Sequence, residues 1–483
     1  MKIVIITLGC KVNQYESDAL AEMLIKNKNT VSRNFEPADV FILNSCAVTN
    51  EAERKSRQMI SKCLKLNPNA KVLVCGCASE KNAEQFERFE NIIMISGTAN
   101  KLKLIEKINE ISAEITSGEF DNPENKIKSK AEKGKSFKNN KTEKNIKISK
   151  VEEIPDFYEN ISISNAHNHR AFVKIQDGCN RFCSYCIIPY LRGRSRSRDI
   201  VSVLSEANNL IKGGVKEIVL TGIDISDYKI DNEPALIKLL NQLNEFNVRL
   251  RLSSFEEGII DDEFLKKISK ISNLCPHFHM SLQSGSDSVL KRMNRKYTPH
   301  DFLESIKKIR KYFKDCAITT DIIVGFPGET EKEFKQTLKF AKKAKFAFMH
   351  IFPFSRRSGT AVDKILTLGK DKRYFIIPSA TLKKRVCLLH KINEKLSKKF
   401  CKSQIGETHE VIVEERIGEY CVGHSRSFLK VYIKTSETEK NFTGNCGYSC
   451  IKNCENAEIL INEIVNVKIK SIYKDGVVGE IVN

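Results

Sequence analysis

Asp177-Gly178-Cys179-Asn180-Arg181-Phe182-Cys183-Ser184-Tyr185-Cys186 sets three cysteines in a CxxxCxxC run. Three thiolates held in one loop can bind three irons of a cubane iron–sulfur cluster, which leaves the fourth iron without a protein ligand and open to chemistry. A structural zinc site would need a fourth Cys or His at finger or ribbon spacing. His167 and His169 lie too close before the loop to supply the second half of such a site. Chance clustering of buried cysteines is the other alternative in a chain with 16 Cys. The flanking glycine and aromatic residues weigh against it.

From about 169 to 395 the chain repeats strand and helix. Strands are expected at 171–175, 217–220, 248–252, 277–282, 317–324 and 346–352, with helices such as 199–212 and 331–343 between them. Successive βα units of this kind predict a partial (β/α)6 barrel with its active site at the carboxyl ends of the strands. The cysteine loop follows the first strand, as that geometry requires. Later strand ends carry Thr221-Gly222, Ser253-Ser254, Ser281-Leu282-Gln283-Ser284-Gly285 and Gly325-Phe326-Pro327-Gly328. Small residues there let backbone approach a cofactor. Ordinary turns use the same residues, so only their recurrence at successive strand ends favours a cleft.

Residues 1 to about 112 alternate short apolar runs with helical segments, the pattern of a parallel α/β sheet. Strands at 2–8, 40–44 and 71–74 are each followed by a cysteine: Cys10, Cys46 and Cys77. Open α/β sheets bind ligands beyond the carboxyl ends of their strands, so these three cysteines can converge on one point and hold a second cluster. They can equally be small buried hydrophobes. Cys75, two residues before Cys77, is expected on the same side of its strand, and Cys77 is taken as the ligand because it lies nearer the strand end. Cys63 lies in a helical segment and reads as structural.

The CxxxCxxC loop, followed by Ile187-Ile188-Pro189, resembles the radical S-adenosylmethionine superfamily. The resemblance implies that S-adenosyl-L-methionine chelates the open iron and is cleaved to a 5′-deoxyadenosyl radical. It also implies that Tyr185 packs near the adenine and that Thr221, Gly222 and Gln283 contact the cofactor. Thr7-Leu8-Gly9-Cys10-Lys11-Val12-Asn13-Gln14-Tyr15-Glu16-Ser17, with Asn44-Ser45-Cys46-Ala47-Val48-Thr49 and Gly76-Cys77, resembles the N-terminal domain of the methylthiotransferases. These enzymes carry two 4Fe–4S clusters. The resemblance implies that Cys179, Cys183 and Cys186 hold the radical-generating cluster. Cys10, Cys46 and Cys77 then hold an auxiliary cluster that carries the sulfur.

Composition fits an enzyme of several parts, and the length alone suggests about three domains. A hydrophobic content of 41% suffices for real cores, and no apolar run approaches the roughly 20 residues of a membrane span. The N-terminal Ile3-Val4-Ile5-Ile6 run is strand-sized and followed by Lys11 and Asn13, unlike a signal peptide. A cytoplasmic monomer is expected, with cysteines used as ligands and reduced thiols instead of disulfides. The formal charge of +20, from 80 Lys and Arg against 60 Asp and Glu, suits a polyanionic partner.

Four segments follow: an α/β domain at 1–117, a basic linker rich in Lys, Asn, Glu and Ser at 118–165, the partial barrel at 166–401, and a small antiparallel β-barrel at 402–483. The last is marked by alternating runs at 409–414, 428–433 and 465–470 and by the hairpin signal Asp475-Gly476. Its position resembles the TRAM domain, the RNA-binding module of the family. Arg192, Arg194, Arg196 and Arg198 alternate, which in an extended chain aims all of them to one side. Such a ridge suits phosphate contacts, and structural ion pairing is the alternative. One departure from the family is Cys446, Cys450 and Cys454, with Cys421 upstream, which read as a metal site or as a loop with reduced thiols.

The signature at 9–16, Cys275-Pro276-His277-Phe278-His279 and Phe352-Pro353-Phe354-Ser355-Arg356-Arg357-Ser358-Gly359-Thr360 resemble the subclass acting on tRNA that bears N6-threonylcarbamoyladenosine. That resemblance implies methylthio transfer to C2 of the adenine beside the anticodon. The partners would be the anticodon stem-loop and an electron donor such as flavodoxin or ferredoxin. Arg356 and Arg357 would pair with the carboxylate of the threonylcarbamoyl group, and Arg192 and Arg194 with RNA. Alternatives are an isopentenyladenosine tRNA, an aspartate of a ribosomal protein, or a non-catalytic iron–sulfur RNA-binding role.

Overall fold

The computed structural model describes residues 1–116, 158–159, 161–164, 169–434 and 461–482. Most of the linker, His167, and Cys446, Cys450 and Cys454 lie outside the described residues. Two compact units are present. One comprises Met1–Ile163, Gly178–Asn180 and Ile187–Arg194; the other comprises Ser164–Asp177, Arg181–Cys186 and Ser195–Asn483.

In the first unit, β1 (Lys2–Thr7), β2 (Thr30–Ser32), β3 (Val40–Ser45), β4 (Lys71–Gly76) and β5 (Ile92–Ile95) form a parallel sheet in the order β2-β1-β3-β4-β5. Its central strands are nearly all apolar because helices cover both faces. One face packs Val4, Phe41, Leu43, Val72 and Val74. The other packs Ile3, Ile5, Val40, Ile42 and Leu73. The edge strands β2 and β5 were not expected from the sequence.

Six parallel strands make the partial barrel of the second unit: β6 (Arg170–Lys174), β7 (Glu217–Thr221), β8 (Arg249–Leu252), β9 (His277–Gln283), β10 (Ala317–Val324) and β11 (Phe348–Pro353). They pair as β8-β7-β6 and β9-β10-β11, and the isolated parallel bridges Leu250↔Leu274 and Phe255↔Met280 join the two halves. Helices between them start at well-formed caps. Thr298 with Asp301 and Thr330 with Glu333 make complete capping boxes.

The C-terminal barrel, expected as a domain of its own, groups with the partial barrel. It comprises β12 (Thr408–Ile417), β13 (Tyr420–Ser425), β14 (Lys430–Lys434), β15 (Ile464–Tyr473) and β16 (Gly476–Ile481), closed in the order β12-β13-β14-β16-β15. Its pairs are antiparallel except β14 with β16, which run parallel. Along β15, Val465, Val467 and Ile469 point inward while Asn466, Lys468 and Lys470 face out. Cys421 is fully buried in the barrel core with Val411 and Val431.

This barrel meets the amino ends of β6, β7 and β8 through charge. Glu217, fully buried, accepts from Arg170 Nε at 2.6 Å and from Arg251 Nε and Nη2, each at 2.7 Å. Arg170 Nη2 donates to Glu414 of β12 at 2.8 Å, and Arg249 Nε donates to Glu410 at 2.6 Å. Phe428 stacks on His277 at 5.2 Å and lies under the guanidinium groups of Arg170 and Arg251. Among the described residues, no helix is long and apolar enough to cross a membrane.

Burial opposes the charge on Glu217, but Arg251 and Arg170 overcome it and hold the carboxyl at about 2. Since that value is below the ordinary 4.5, the stabilisation is complete above about pH 4.5 and is lost as the pH falls toward 2. Glu217→Gln is expected to cost about 3 kcal/mol at neutral pH. Urea midpoints measured across the acid range should fall less steeply for the variant than for the parent.

Candidate active site at the strand ends

β1, β3 and β4 are neighbours in the first sheet, so Cys10, Cys46 and Cys77 leave three adjacent strand ends. A Cβ added at Gly9 would lie 2.8 Å from Cys46 Sγ, and with φ +107° the chain needs glycine there to pass that close. Cys77 lies near enough to Cys10 and Cys46 to feel their charge. Burial pushes its thiol up to about 12 against the pull of Arg192. Cys10 is exposed, whereas Cys46 and Cys77 are buried.

The sequence expectation for Cys75 fails. Gly76 takes φ +97° and breaks the strand alternation, and a Cβ there would meet Ser45 O at 2.4 Å. Cys75 therefore packs with Ile5 and Leu73 on one face of the sheet, and Cys77 with Val72 and Val74 on the other. Cys63 is buried in the second of these cores, as its structural reading requires.

Behind the three thiols lies a buried polar core that explains the signature around Cys10. Asn13 Nδ2 donates to Leu8 O and Ser45 O at 2.8 and 3.0 Å, tying together the ends of β1 and β3. Asn44 Nδ2 donates back to Asn13 O and to Ser17 Oγ. Arg192 Nη1 donates to Glu16 Oε1 at 2.9 Å and Nη2 to Asn13 Oδ1 at 2.8 Å. Lys101, fully buried, sits 3.8 Å from the other oxygen of Glu16.

Of the two readings of the arginine series, the ridge does not form and structural ion pairing holds for Arg192, Arg196 and Arg198. Arg192 ends the helix Ile188–Arg192 and is buried on Glu16, while Arg198 is buried on Glu206. Arg196 lies 3.7 Å from Asp177, and only Arg194 of the series is exposed. The helix turn at Ile188–Arg192 and the left-handed Gly193 destroy the extended register on which the expectation rested. Arg357 is also buried, and Arg356 is exposed but bonded to Asp363 and Thr367.

In the second unit, the arm of the loop bearing Cys183 and Cys186 is strapped by a segment the sequence reading passed over, Arg292-Met293-Asn294-Arg295. Ser184 Oγ donates to Arg292 O at 2.7 Å, Ser184 N to Met293 O at 3.0 Å, and Asn294 Nδ2 to Phe182 O at 3.0 Å. Arg295 Nη1 donates to Cys183 Sγ at 3.2 Å, Nη2 bonds Ser281 O and Glu256, and Nε donates to the Tyr297 hydroxyl. A guanidinium placed there gives the sulfur a hydrogen-bond donor that carries a fixed positive charge. The cue in the sequence was the run of cations after a short helix in Lys291-Arg292-Met293-Asn294-Arg295-Lys296.

Around this arm stand the expected cofactor residues. Thr221 is buried at the end of β7, and Gly222 leaves room for Gln176, on which a Cβ would press at 2.9 Å. Gln283 adopts φ +67° beyond a register shift between Met280 and Gln283. Thr320 holds that shift open by donating to Met280 O and accepting from Leu282 N. Bulges of this kind re-aim side chains beside active sites. Tyr185 meets Phe326 edge-on with centroids 6.4 Å apart, and Glu329 closes the Phe326 turn by accepting from Gly325 N.

Two family models match the chain. The radical SAM superfamily matches residues 173–341, and an uncharacterised protein family, UPF0004, matches residues 2–97. A threonylcarbamoyladenosine tRNA methylthiotransferase MtaB of Chlamydia pneumoniae is 35% identical over 99% of this chain and 97% of its own. MtaB of Bacillus subtilis is 35% identical over 89% and 90%. A tRNA-2-methylthio-N(6)-dimethylallyladenosine synthase of Clostridium novyi is 31% identical over 99% and 95%. Among solved structures, the radical S-adenosylmethionine methyltransferase TsrM of Kitasatospora setae matches with a TM-score of 0.50 at 14% identity, covering 73% of this chain and 72% of that one, a likeness of fold. By its near full-length identity to these relatives, the chain belongs to the radical S-adenosylmethionine tRNA methylthiotransferases, of the MtaB type.

Proposed function

We propose that this protein transfers a methylthio group to C2 of N6-threonylcarbamoyladenosine beside the anticodon of tRNA. The observation that carries the reading is the presence of two separate cysteine sets, one at three adjacent strand ends and one in the CxxxCxxC loop, in a chain similar throughout to relatives named for that nucleoside. Cys179, Cys183 and Cys186 would hold one 4Fe–4S cluster and Cys10, Cys46 and Cys77 the other. All are thiols, the donors such clusters take. When bound, the clusters and S-adenosyl-L-methionine supply the hydrogen-abstracting radical and the sulfur.

The chain's own residues do the rest. Arg192 places a fixed positive charge beside Cys77, which favours the thiolate that burial disfavours. Arg295 brings a guanidinium N–H to the sulfur of Cys183. Tyr185, Thr221, Gly222 and Gln283 would line the cofactor cleft. Arg194 and Arg356, exposed on the surface, are the arginines of the expected set that RNA phosphates can reach.

Mass spectrometry of tRNA nucleosides from a deletion strain tests the substrate. The methylthiolated threonylcarbamoyladenosine is expected to disappear while the unmethylthiolated nucleoside accumulates. Loss of methylthiolated dimethylallyladenosine alone would assign the chain to the other nucleoside. Cys46→Ala in anaerobically reconstituted protein should lose about half of the iron, keep the cleavage of S-adenosylmethionine to 5′-deoxyadenosine, and abolish methylthio transfer. Arg295→Met removes a donor and a positive charge from a cluster sulfur, so redox titration should show the potential of the radical-generating cluster shifted negative.

A further inference from the structure

On the face of the β9-β10-β11 sheet that carries the more exposed side chains, three groups from three adjacent strands come together. His279 of β9, Asp321 of β10 and His350 of β11 place one ligand atom each so that all lie within 4.8 Å of one another. His279 Nε2 is 3.2 Å from Asp321 Oδ2, and the His279 and His350 rings are 5.5 Å apart between centroids. We propose that these three side chains form a divalent transition-metal site, separate from both cysteine sets.

The parallel register fixes the arrangement. Asp321 pairs directly with His350, and His279 pairs with Thr319, two residues before Asp321 and on the same face. Ligands about 2.0–2.2 Å from a tetrahedral metal stand about 3.3–3.6 Å from one another. The His279–Asp321 pair, at 3.2 Å, is close to that separation, and small rotations of the imidazole on the half-exposed surface bring in His350. Asp321 and His279 are partly buried and His350 is exposed, so an ion can enter without opening the fold.

The group behind the first ligand is also in place. Thr319 Oγ1 lies 2.9 Å from His279 Nδ1 and 3.1 Å from His277 Nε2. Thr319 can accept from Nδ1–H of His279 and donate its own proton to His277, which leaves Nε2 of His279 as the metal-facing lone pair. Metal-binding histidines are oriented by such a partner on the second nitrogen. Two imidazoles and one carboxylate suit zinc or iron(II) over the hard, oxygen-preferring magnesium and calcium. They leave at least one coordination position for water or for an oxygen of a bound molecule. The three atoms lie well below the carboxyl ends of β9, β10 and β11, where Gln283, Val324 and Pro353 stand. At about 3.3 Å per residue the site is about 10–13 Å from those ends.

The test uses zinc as the probe on the full-length protein with its clusters reconstituted, so that the cysteines are occupied. After dialysis against micromolar zinc, iron and zinc are counted together by mass spectrometry. The parent should retain about one zinc per chain more than His350→Ala and more than Asp321→Asn, with the same iron in all three. His350 is exposed, so its removal does not threaten the fold. A variant with Cys446, Cys450 and Cys454 changed to serine should keep that extra zinc. Equal zinc in parent and both variants, or an excess that disappears with those cysteines, would overturn the proposal.

Discussion

The buried pair between Arg192 and Glu16 is the contact on which the arrangement of the first unit turns. Glu16 belongs to the helix that Cys10 starts, and Arg192 ends the short helix that follows Cys186. Both are excluded from water, as are Asn13 and Lys101 beside them. An ion pair in such a place contributes little net stability, but removal of one partner leaves an uncompensated charge that costs about 3–5 kcal/mol. The pair therefore fixes geometry. It locks the chain leaving the CxxxCxxC loop onto the helix that begins at Cys10, and it brings a cation to Cys77 that pulls against the upward push of burial on the thiol.

The second unit uses the same device at the opposite ends of its strands. Glu217, Arg170 and Arg251 sit at or near the amino ends of β6, β7 and β8, where a helical barrel would ordinarily turn to solvent, and the C-terminal barrel covers them. Glu414 accepts from Arg170 and also bonds His424, while Phe428 lies against both guanidinium groups. Charged residues at strand starts hold the small barrel at one end of the partial barrel. The carboxyl ends carry Cys183, Gln283 and the Phe326 turn, residues of the proposed cofactor cleft. The stabilising charge cluster and the proposed cleft thus occupy opposite ends of the same strands, as parallel βα architecture permits.

The central strands, the cysteine spacing and the order of the segments were legible because each rests on local pattern: β-branched runs, post-strand cysteines, a hairpin at Asp475-Gly476. Two of the readings that failed share a dependence on one backbone angle. Arg192 and Arg198 read as an exposed series because alternation assumes an extended chain, and the left-handed Gly193 removes that assumption. Cys75 and Cys77 read as same-sided for the same reason, and Gly76 separates them. A glycine inside an alternating pattern was the available cue, since it marks positions where φ turns positive. Arg295, by contrast, acts on Cys183 across more than a hundred positions of sequence. No local pattern encodes such a contact.

The sheet pairing around Gln283 shows why the carboxyl end of β9 is irregular while its amino end is regular. β9 and β10 keep register from His277 to Met280 and lose it before Gln283, where the backbone enters the left-handed region. A non-glycine residue held there costs about 1–3 kcal/mol, which persists only where surrounding contacts over-determine it. Those contacts are present: Thr320 bonds both Met280 O and Leu282 N, Tyr297 donates to Ser281 O, and Arg295 donates to the same carbonyl. Arg295 thus holds the bulge that aims Gln283 and also bonds Cys183. One guanidinium supports the Ser281 carbonyl near Gln283 and donates to a cysteine sulfur, so the backbone at Gln283 and the surroundings of Cys183 are tied to the same side chain.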